Sequence, residues 1–252
     1  MSTNTEQTHD ATTRVALVTG GSGGIGRAVV ERLAADGYAV AVHYAGNRAK
    51  ADEIVKQVVA GGGRALAVGG DVADETAMEA LFDRVEQEFG GLDVVVNTAG
   101  IMLLGPIATY DLDDFDRIVR TNLRGTFVVS QQAARRVRAG GAIVNFSTSV
   151  TRTKFATYGP YVATKAAVEG MTLVLARELR GHDITVNAVA PGPTATPLFL
   201  DGKSEEAIQG LANATPLERL GTPADIAETV AFLAGPARWV NGQTVFTNGG
   251  LA

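Results

Sequence analysis

Cysteine is absent from this 252-residue chain, and histidine occurs only three times. Without cysteine the chain has no disulfide, no thiolate nucleophile and no sulfur ligand for a metal. The histidines are scattered and lack the spacing of zinc ligands; they are His9, His43 and His182. We therefore predict no metal centre.

Long apolar runs and an excess of basic charge are also missing. No apolar stretch approaches the roughly 20 residues that a membrane-spanning helix needs, so we predict no membrane association. The net charge of -5, without a basic stripe, argues against a nucleic-acid partner. Residues 1–13 are polar and lack an apolar signal core, so a disordered tail and a cytoplasmic location are expected.

What the chain does have is glycine, with 30 residues, and a hydrophobic fraction of 46%, which suits one sizeable α/β domain. Apolar, β-branched runs alternate with segments of helical periodicity, without an internal repeat or a linker. Strict alternation predicts a doubly wound parallel sheet of about seven strands, with helices on both faces. We predict a single domain over residues 14–252 and, where the pattern is least regular, a substrate lid near residues 193–216.

The predicted elements follow from these runs. The predicted strands are Arg14–Thr19, Ala39–Tyr44, Arg64–Val68, Leu92–Val96, Ala142–Phe146, Ile184–Val189 and Thr244–Thr247. After the helix that follows the first strand, the predicted helices are about Arg48–Ala60, Asp74–Phe89, Leu112–Arg138 and Tyr161–Leu179. Because ligands of such sheets bind beyond the carboxyl ends of the strands, the segments 20–26, 97–100, 147–149 and 191–196 are expected to form one site.

A glycine-rich turn, Gly20–Gly26, follows the first predicted strand and precedes a helix. Strand, glycine turn and helix in this order form the context in which a dinucleotide is bound. Glycine lets the backbone approach the pyrophosphate, whose charge then meets the amides and the positive dipole end of the helix. The spacing is not the usual Gly-x-Gly-x-x-Gly, because Thr19-Gly20 is followed after three residues by Gly24-Ile25-Gly26.

Tyr161 and Lys165 lie four residues apart, which places both side chains on one face of their predicted helix. A positive charge beside a phenol favours its ionised form and lowers its pKa from about 10. A tyrosine adjusted in this way can pass a proton at neutral pH. Such a pair occurs by chance on many helices. The glycine turn elsewhere in the chain makes a catalytic role for this pair a stronger hypothesis.

Four motifs occur in a fixed order: the turn from Thr19 to Gly26, then Asn97-Thr98-Ala99-Gly100, Tyr161 with Lys165, and Pro191-Gly192. In order and spacing they resemble the short-chain dehydrogenase/reductase family, and 3-ketoacyl reductase-like members in particular. The resemblance covers residues 14–252. It implies a Rossmann-like fold and an NAD(P)-dependent oxidoreductase that acts on CH–OH or C=O groups.

The resemblance implies a role for each catalytic residue. The family tyrosine donates a proton to a carbonyl oxygen while the nicotinamide delivers hydride to the carbon, so Tyr161 is expected to be the acid in reduction and the base in oxidation. Lys165 is expected to lower the tyrosine pKa and to hydrogen-bond the nicotinamide ribose. Asn122 matches the family asparagine that positions a water in a proton relay; alternatively, it satisfies backbone groups in a helix kink.

The hydroxyl that holds the substrate carbonyl is where the sequence departs from the family. The usual serine, thirteen residues before the tyrosine, is here Thr148, which keeps the hydroxyl and adds a methyl group. Thr148 is our prediction, and Ser149 is the alternative if the loop shifts by one residue. The Ser147 hydroxyl is expected to bond the backbone.

The remaining cofactor contacts also come from the resemblance. Asp71 is expected to bond the adenine amino group, or else to cap a turn or helix, and Val72 to contact the ring. Thr196, with the amide of Thr194, is expected to anchor the nicotinamide carboxamide, while Asn97 is as much a structural as a functional candidate. The predicted cofactor-binding residues are Gly20, Ser22, Gly24, Ile25, Gly26, Tyr44, Asn47, Arg48, Asp71, Val72, Asn97, Ala99, Gly100, Tyr161, Lys165, Pro191, Gly192, Thr194 and Thr196.

The end of the second predicted strand favours NADP over NAD. An acid there would bond the ribose 2'-hydroxyl of NAD, but the segment from His43 to Arg48 contains no carboxylate. Arg48 is predicted to pair with the 2'-phosphate of NADP and Asn47 to add an amide donor. Alternatively, Arg48 is a solvated residue of the first helical turn. Gly23 weakens the case, because some NADP-preferring relatives carry a basic residue there.

The resemblance also predicts a largely apolar substrate pocket, lined by Met102, Leu103, Phe155, Tyr158, Leu198 and Phe199. Such a pocket favours a hydrophobic carbonyl compound, for example a ketone or a 3-oxoacyl compound, that is reduced to an alcohol. The alternatives are an NAD-dependent alcohol or sugar dehydrogenase and an NADP-binding sensor without turnover. The stretch from Trp239 to Ala252 resembles the family's interface-forming tail and implies a homotetramer.

Overall fold

The computed structural model describes residues 13–252. The tail predicted over residues 1–13 therefore lies outside the described part of the chain, apart from Thr13. The strands are β1 (Val15–Thr19), β2 (Ala39–Tyr44), β3 (Arg64–Gly69), β4 (Leu92–Asn97), β5 (Val137–Phe146), β6 (Thr185–Pro191) and β7 (Thr244–Thr247). The helices are α1 (Gly24–Ala35), α2 (Arg48–Ala60), α3 (Glu75–Phe89), α4 (Leu112–Ile118), α5 (Gly125–Arg136), α6 (Val150–Thr153), α7 (Gly159–Glu178), α8 (Pro197–Leu200), α9 (Glu205–Ala214) and α10 (Pro223–Ala234).

All seven strands pair in parallel in one sheet, in the order β3-β2-β1-β4-β5-β6-β7. The chain builds outward from β1 to β3 and then crosses back to place β4 on the other side of β1. Ligands of doubly wound sheets bind beyond the carboxyl ends of the strands at such a reversal. The predicted fold class, a doubly wound parallel sheet in a Rossmann-like single domain, is confirmed.

The sheet is buried on both faces, which explains why its strands read as continuous apolar runs. Side chains alternate along a strand, so Ala16 and Val18 of β1 pack with α1 and α10 on one face. Val15 and Leu17 of the same strand pack with α3 and α5 on the other. Each fully buried valine or leucine side chain contributes roughly 1.5 to 3 kcal/mol, so β1 is firmly fixed at the centre of the fold.

The long helix predicted over 112–138 is interrupted. A π-helical turn, Val119–Arg124, separates α4 from α5 without breaking the helical path, since the residues that flank the turn keep right-handed helical dihedrals. The helix then ends at Arg136 because Val137 already pairs with Leu92 of β4. Strand β5 therefore starts five residues earlier than the predicted Ala142. A π-helical turn inside a helix is frequently found at functional sites.

Helix α10 was not predicted. Its first residues form a capping box, in which Thr222 and Asp225 bond each other's backbone amides. Its apolar side chains, Ile226 and Val230 among them, share a buried cluster with Val29 and Leu33 of α1. The region expected to be least regular, 193–216, contains the short α8 and the ten-residue α9. Within residues 13–252, no helix is both long enough and apolar enough to cross a membrane.

Candidate active site

The glycine turn between β1 and α1 is closely fitted. Gly20 and Gly24 have φ angles of 64° and 53°, which favour glycine. A Cβ atom on Gly26 would lie 2.2 Å from the carbonyl oxygen of Gly20. Among the described residues, no side chain caps the start of α1, and its first turn carries no acidic residue. The first amides of α1 are therefore open to an anion.

His43 supports this turn, a role that sequence reasoning missed. Its Nδ1 accepts a hydrogen bond from the Gly20 amide at 3.0 Å, and its Nε2 lies 2.9 Å from the carbonyl oxygen of Gly70. The two contacts require the neutral tautomer with the proton on Nε2. Burial lowers the pKa of His43, which favours that neutral form. The residue type offered no hint, because the contacts arise only when the ends of β1, β2 and β3 meet.

The segment after β4 is attached to the end of β1 by threonine hydroxyls. Thr19 Oγ1 donates to Asn97 Oδ1 at 2.7 Å and accepts from the Ala99 amide at 3.2 Å. Thr98 Oγ1 donates to the Thr19 carbonyl at 2.5 Å and adds a third contact between the two segments. Within residues 13–252, the buried Nδ2 of Asn97 has no hydrogen-bond partner. These contacts hold the Asn97–Gly100 segment beside the glycine turn.

The predicted nucleotide-selecting residues lie at the ends of β2 and β3. Asn47 caps α2, because its Oδ1 accepts from the Lys50 amide at 3.1 Å. Arg48, with a side chain 75% exposed, lies 3.4 Å from the Asp52 carboxylate, a weak surface pair. Asp71 accepts from the Ala73 amide at 2.9 Å, the turn contact named above as an alternative.

Asp71 also pairs with Arg120 of the π-helical turn. Val72 is buried. The Tyr44 ring covers Gly69, where a Cβ atom would lie 2.7 Å from the ring. Ser22, which is half-buried, lies in the glycine turn just before α1. These residues border the site on the β2–β3 side of the sheet.

The three hydroxyls after β5 point to three different places. Ser149 Oγ donates to the Ala190 carbonyl at 3.3 Å. Ser147 Oγ donates to Glu169 Oε1 at 2.6 Å, so the expectation that it bonds the backbone is wrong. A carboxylate is a stronger acceptor than a peptide carbonyl. Only Thr148 of the three interacts with Tyr161, among the residues described.

Lys165 is buried one turn beyond Tyr161 in α7. Its Nζ donates to the Phe146 carbonyl at 2.9 Å and lies 6.0 Å from the centre of the Tyr161 ring. Burial lowers the pKa of Lys165 to about 8. At neutral pH the ammonium form of Lys165 therefore still dominates, although the side chain loses its proton about one pH unit higher.

The pKa of Tyr161 moves in the direction opposite to the sequence expectation. Burial raises it to about 12, and the interaction with the Thr148 side chain opposes that rise only in part. The ammonium group of Lys165 contacts a carbonyl rather than the phenolic oxygen, so burial outweighs its charge. Tyr161 therefore keeps its proton at neutral pH, as a proton donor must.

Asn122 is fully buried in the π-helical turn, and its side chain is engaged. Its Oδ1 accepts from the Ile101 amide at 2.8 Å, and its Nδ2 donates to the Ile101 carbonyl at 2.9 Å. A longer contact of 3.4 Å reaches Thr164 Oγ1 of α7. The alternative named from the sequence, a polar residue that satisfies backbone groups, is thus present in the structure. Thr126 bonds the Asn122 carbonyl at 2.6 Å.

One largely apolar pocket collects these groups beyond the ends of β4, β5 and β6. Of the predicted site residues, those in its wall are Ile25, Gly100, Thr148, Tyr161, Lys165, Pro191, Gly192, Thr194 and Thr196. Five of the six predicted substrate-lining residues belong to it. Leu103 does not; its carbonyl accepts a hydrogen bond from the Tyr110 hydroxyl at 3.0 Å. Leu211 of α9 and Leu251 line it instead and were missed.

The loop after β6 closes one side of this pocket. Gly192 is fixed by crowding, since a Cβ atom there would lie 2.7 Å from the Asn248 backbone. Thr194 Oγ1 donates to the Gly192 carbonyl at 2.9 Å. Thr196 caps α8 by accepting from the Phe199 amide at 3.3 Å, and its methyl group lies beside Gly24. The loop therefore contacts the glycine turn directly.

Comparison with known proteins places this geometry among oxidoreductases. Residues 20–252 match the family described as "Enoyl-(Acyl carrier protein) reductase". A short-chain type dehydrogenase/reductase of Picea abies is 44% identical over 248 residues, which cover 94% of this chain and 92% of the relative. A 3-oxoacyl-[acyl-carrier-protein] reductase of Staphylococcus aureus is 42% identical over 242 residues, with coverage of 95% and 98%.

A solved structure gives the same result. The crystal structure of a short chain dehydrogenase from Burkholderia cenocepacia J2315, in complex with NADP, superposes with a TM-score of 0.89 at 41% identity. The match covers 95% of this chain and 97% of that one. Both the fold and nearly the whole length are therefore shared with a short chain dehydrogenase that binds NADP.

Proposed function

Because the chain belongs to the short-chain dehydrogenase/reductase family, we propose that it reduces a hydrophobic ketone or related carbonyl compound to an alcohol with NADPH. The observation that carries this proposal is the placement of Tyr161, Thr148 and Lys165 in the wall of one apolar pocket. A protonated phenol and a second hydroxyl beside it are the groups that a carbonyl oxygen needs as it gains charge.

The residues present fit a dinucleotide. The first amides of α1 are open, and the close approach of Gly26 to Gly20 leaves the turn without side chains where a pyrophosphate would lie. The unpartnered Nδ2 of Asn97 adds a buried donor beside that turn. When bound, NADPH supplies the hydride. The proposed holders are the cofactor-binding residues predicted from the sequence, from Gly20 to Thr196.

Selection of NADPH is assigned to Arg48. Its side chain is largely exposed just after β2, and its ion pair with Asp52 is long and weak. A 2'-phosphate can therefore replace Asp52 as the partner of Arg48. Asn47 uses its oxygen as a helix cap and keeps its amide group for the nucleotide. The Burkholderia relative is in complex with NADP, which supports this choice.

During reduction, the substrate carbonyl oxygen accepts hydrogen bonds from Thr148 and Tyr161. Tyr161 gives its proton to that oxygen as the carbonyl carbon is reduced, and the product is the alcohol. The nearby Lys165 ammonium stabilises the phenolate that forms and helps to return a proton from solvent. Asn122 supports this arrangement by holding Ile101, and its place in a proton relay remains a prediction.

The pocket favours a hydrophobic carbonyl compound. Aromatic and aliphatic side chains form most of its wall, among them Met102, Phe155 and Phe199, and an apolar wall favours an apolar substrate. The segment 193–216 is proposed as the substrate lid, since Leu198 and Leu211 of α8 and α9 reach into the pocket.

We further infer a homotetramer. Helices α5 and α7 contact each other and expose Phe127 and Val174. Trp239, at the start of the C-terminal tail, is fully exposed. Large apolar side chains left open in this way are typical of interfaces.

The proposed function is tested by the oxidation of NADPH and of NADH with a panel of aryl ketones, 3-oxoacyl thioesters, enoyl thioesters and sugars. We expect turnover of a hydrophobic carbonyl compound, and kcat/KM at least about tenfold higher with NADPH, which corresponds to about 1.4 kcal/mol. Turnover of the enoyl thioester alone, or of no compound, would contradict the proposal.

A matched pair of variants tests the nucleotide assignment. Arg48→Ala should raise KM for NADPH about tenfold and leave KM for NADH unchanged, since it removes a charge-assisted pair with the phosphate. Lys56→Ala, a basic residue further along α2, serves as the control and should affect neither. Equal losses with both nucleotides in Arg48→Ala would refute the phosphate contact.

A further inference from the structure

The carboxyl group of Glu169 lies between two elements that carry the proposed catalytic groups. Glu169 belongs to α7, the helix of Tyr161. Its Oε1 accepts hydrogen bonds from Ser147 Oγ at 2.6 Å and from Thr151 Oγ1 at 2.8 Å. Ser147 precedes Thr148, and Thr151 follows it in α6. One carboxylate oxygen therefore fastens both sides of the Thr148 turn to the tyrosine helix.

Other hydrogen bonds hold the neighbouring segments to the sheet, whereas Glu169 joins the Thr148 turn to α7. The amides of Ser147 and Ser149 donate to the Val189 and Pro191 carbonyls, which ties the turn to β6. Lys165 bonds the end of β5 through the Phe146 carbonyl. These contacts hold the turn to the sheet. Among the described residues, this turn is joined to α7 by the two hydrogen bonds at Glu169 and by the interaction of Thr148 with Tyr161.

The hydroxyl of Thr148 has little local support of its own. The Val150 amide reaches its Oγ1 at 3.3 Å, a long contact. The single proton of the Thr151 hydroxyl is shared between the Thr148 carbonyl at 2.9 Å and the Glu169 carboxylate. The position of Thr148 relative to Tyr161 therefore depends on the half-buried carboxylate of Glu169.

We propose that Glu169 is a positioning residue that sets the distance between the Thr148 hydroxyl and the Tyr161 phenol, a role that rests on the proposed function. Both groups must reach one carbonyl oxygen at the same time. Because a small misplacement of a reacting group slows the chemical step far more than it weakens binding, the loss of Glu169 lowers kcat and leaves nucleotide binding intact.

The first test compares three variants in steady-state reduction. Glu169→Leu should lower kcat about tenfold, an effect of the size expected from mispositioning, with no change in the dissociation constant of NADPH. Glu169→Gln keeps an oxygen acceptor and should restore most of the rate. Glu178→Leu, at an exposed glutamate of the same helix, is the control and should match the unmodified enzyme. If Glu178→Leu lowered kcat as much as Glu169→Leu does, the proposal would be overturned.

A double-mutant cycle separates positioning from general support of the fold. Since Glu169 acts through Thr148, the effect of Glu169→Leu on kcat should nearly vanish in a Thr148→Val background. Additive losses would overturn the proposal. If Glu169→Leu does not fold, Ser147→Ala combined with Thr151→Val removes both donors and enters the same cycle.

The pH profile supplies a second readout. Because Thr148 opposes the rise in the Tyr161 pKa, Glu169→Leu should shift the alkaline rise of alcohol oxidation to higher pH, as Thr148→Val should. An unshifted profile would count against the proposal.

An unmodified enzyme that turns over no carbonyl compound would refute the proposed function and this inference together. An active enzyme with additive losses would refute only the role of Glu169.

Discussion

At the scale of single residues, burial decides the chemistry of the tyrosine–lysine pair. Both residues are in α7, but the ammonium group of Lys165 bonds the Phe146 carbonyl rather than the phenol. The Tyr161 pKa is therefore raised to about 12, and that of Lys165 is lowered to about 8. Each shift favours the uncharged form, as expected for groups removed from water. The pair is thus arranged to give up a proton to a carbonyl rather than to remove one.

These pKa values predict opposite pH dependences for the two directions of the reaction. Tyr161 stays protonated across the accessible range, so kcat/KM for reduction should be flat below about pH 8 and fall above it as Lys165 loses its charge. Oxidation needs the phenolate and should rise with pH. Initial rates between pH 6 and pH 10 measure both.

Two variants check the assignment of these pKa values. Lys165→Arg keeps its charge at alkaline pH, so the fall in reduction should move to higher pH. Tyr161→Phe should lower kcat about 10²- to 10⁴-fold, the usual contribution of a positioned acid, while NADPH binding persists. A reduction rate that increases through pH 8, or an active Tyr161→Phe enzyme, would show that another group donates the proton.

At the scale of elements, the position of α1 decides where a nucleotide can bind. The helix is fixed on one side by β1 and on the other by α10, through Leu33 and Ile226 in one cluster. Its start is fixed by the contact of Gly26 with Gly20 and by the His43 bond to the Gly20 amide. The open amides of α1 are therefore held in place before any ligand arrives, which reduces the cost of ordering them on binding.

Two glycines of the same turn should respond differently to alanine. A Cβ on Gly26 meets the Gly20 carbonyl at 2.2 Å, whereas a Cβ on Gly23 meets nothing within 4 Å. Overpacking of the first kind costs typically 1 to 3 kcal/mol, and it also displaces the amides of α1. Gly26→Ala should therefore lower both the free energy of unfolding in urea and the affinity for NADPH.

Gly23→Ala is the control for this prediction. Its backbone is extended, with φ of -167°, so alanine is accommodated, and the free energy of unfolding should stay within about 0.5 kcal/mol of the unmodified protein. Nucleotide fluorescence titration gives the affinities of both variants. If the two substitutions had the same effect, the close contact at Gly26 would not be what shapes the turn.

At the scale of the whole molecule, the sheet brings distant segments to one edge. Residues that follow β4, β5 and β6 meet Ile25 of α1 and the C-terminal Leu251 in a single pocket. Outside this pocket, large apolar side chains are also exposed on α5, on α7 and at Trp239. The surface proposed for self-association therefore shares helix α7 with the catalytic pair but uses different residues, Phe127, Val174 and Trp239.

The proposed homotetramer predicts a solution mass four times that of one chain, measured by light scattering. Phe127→Glu and Trp239→Glu place a charge on the exposed apolar surfaces and should reduce that mass, since charges are depleted in interface cores. Val59→Glu introduces the same change on α2, where an apolar side chain is also exposed, and should leave the assembly intact. A monomer in the unmodified protein would refute the proposal.

The sequence by itself determined the fold class and most of the elements. Periodicity and glycine placement are local properties, so the β2 and α2 boundaries were predicted to the residue. The pocket wall was also largely predictable, because the carboxyl ends of parallel strands always share one edge of the sheet. The Thr222 capping box could have revealed α10 as well, since its spacing is readable in the sequence.

Only the tertiary structure decided which partner each polar group bonds and how the exclusion of water shifts its pKa. The hydroxyls of Ser147, Thr148 and Ser149 are adjacent in sequence, yet they meet a carboxylate, a phenol and a carbonyl from different elements. The bridging role of His43 and the raised pKa of Tyr161 have the same origin. Hydrogen bonds and desolvation depend on neighbours that are distant along the chain, and no local pattern encodes them.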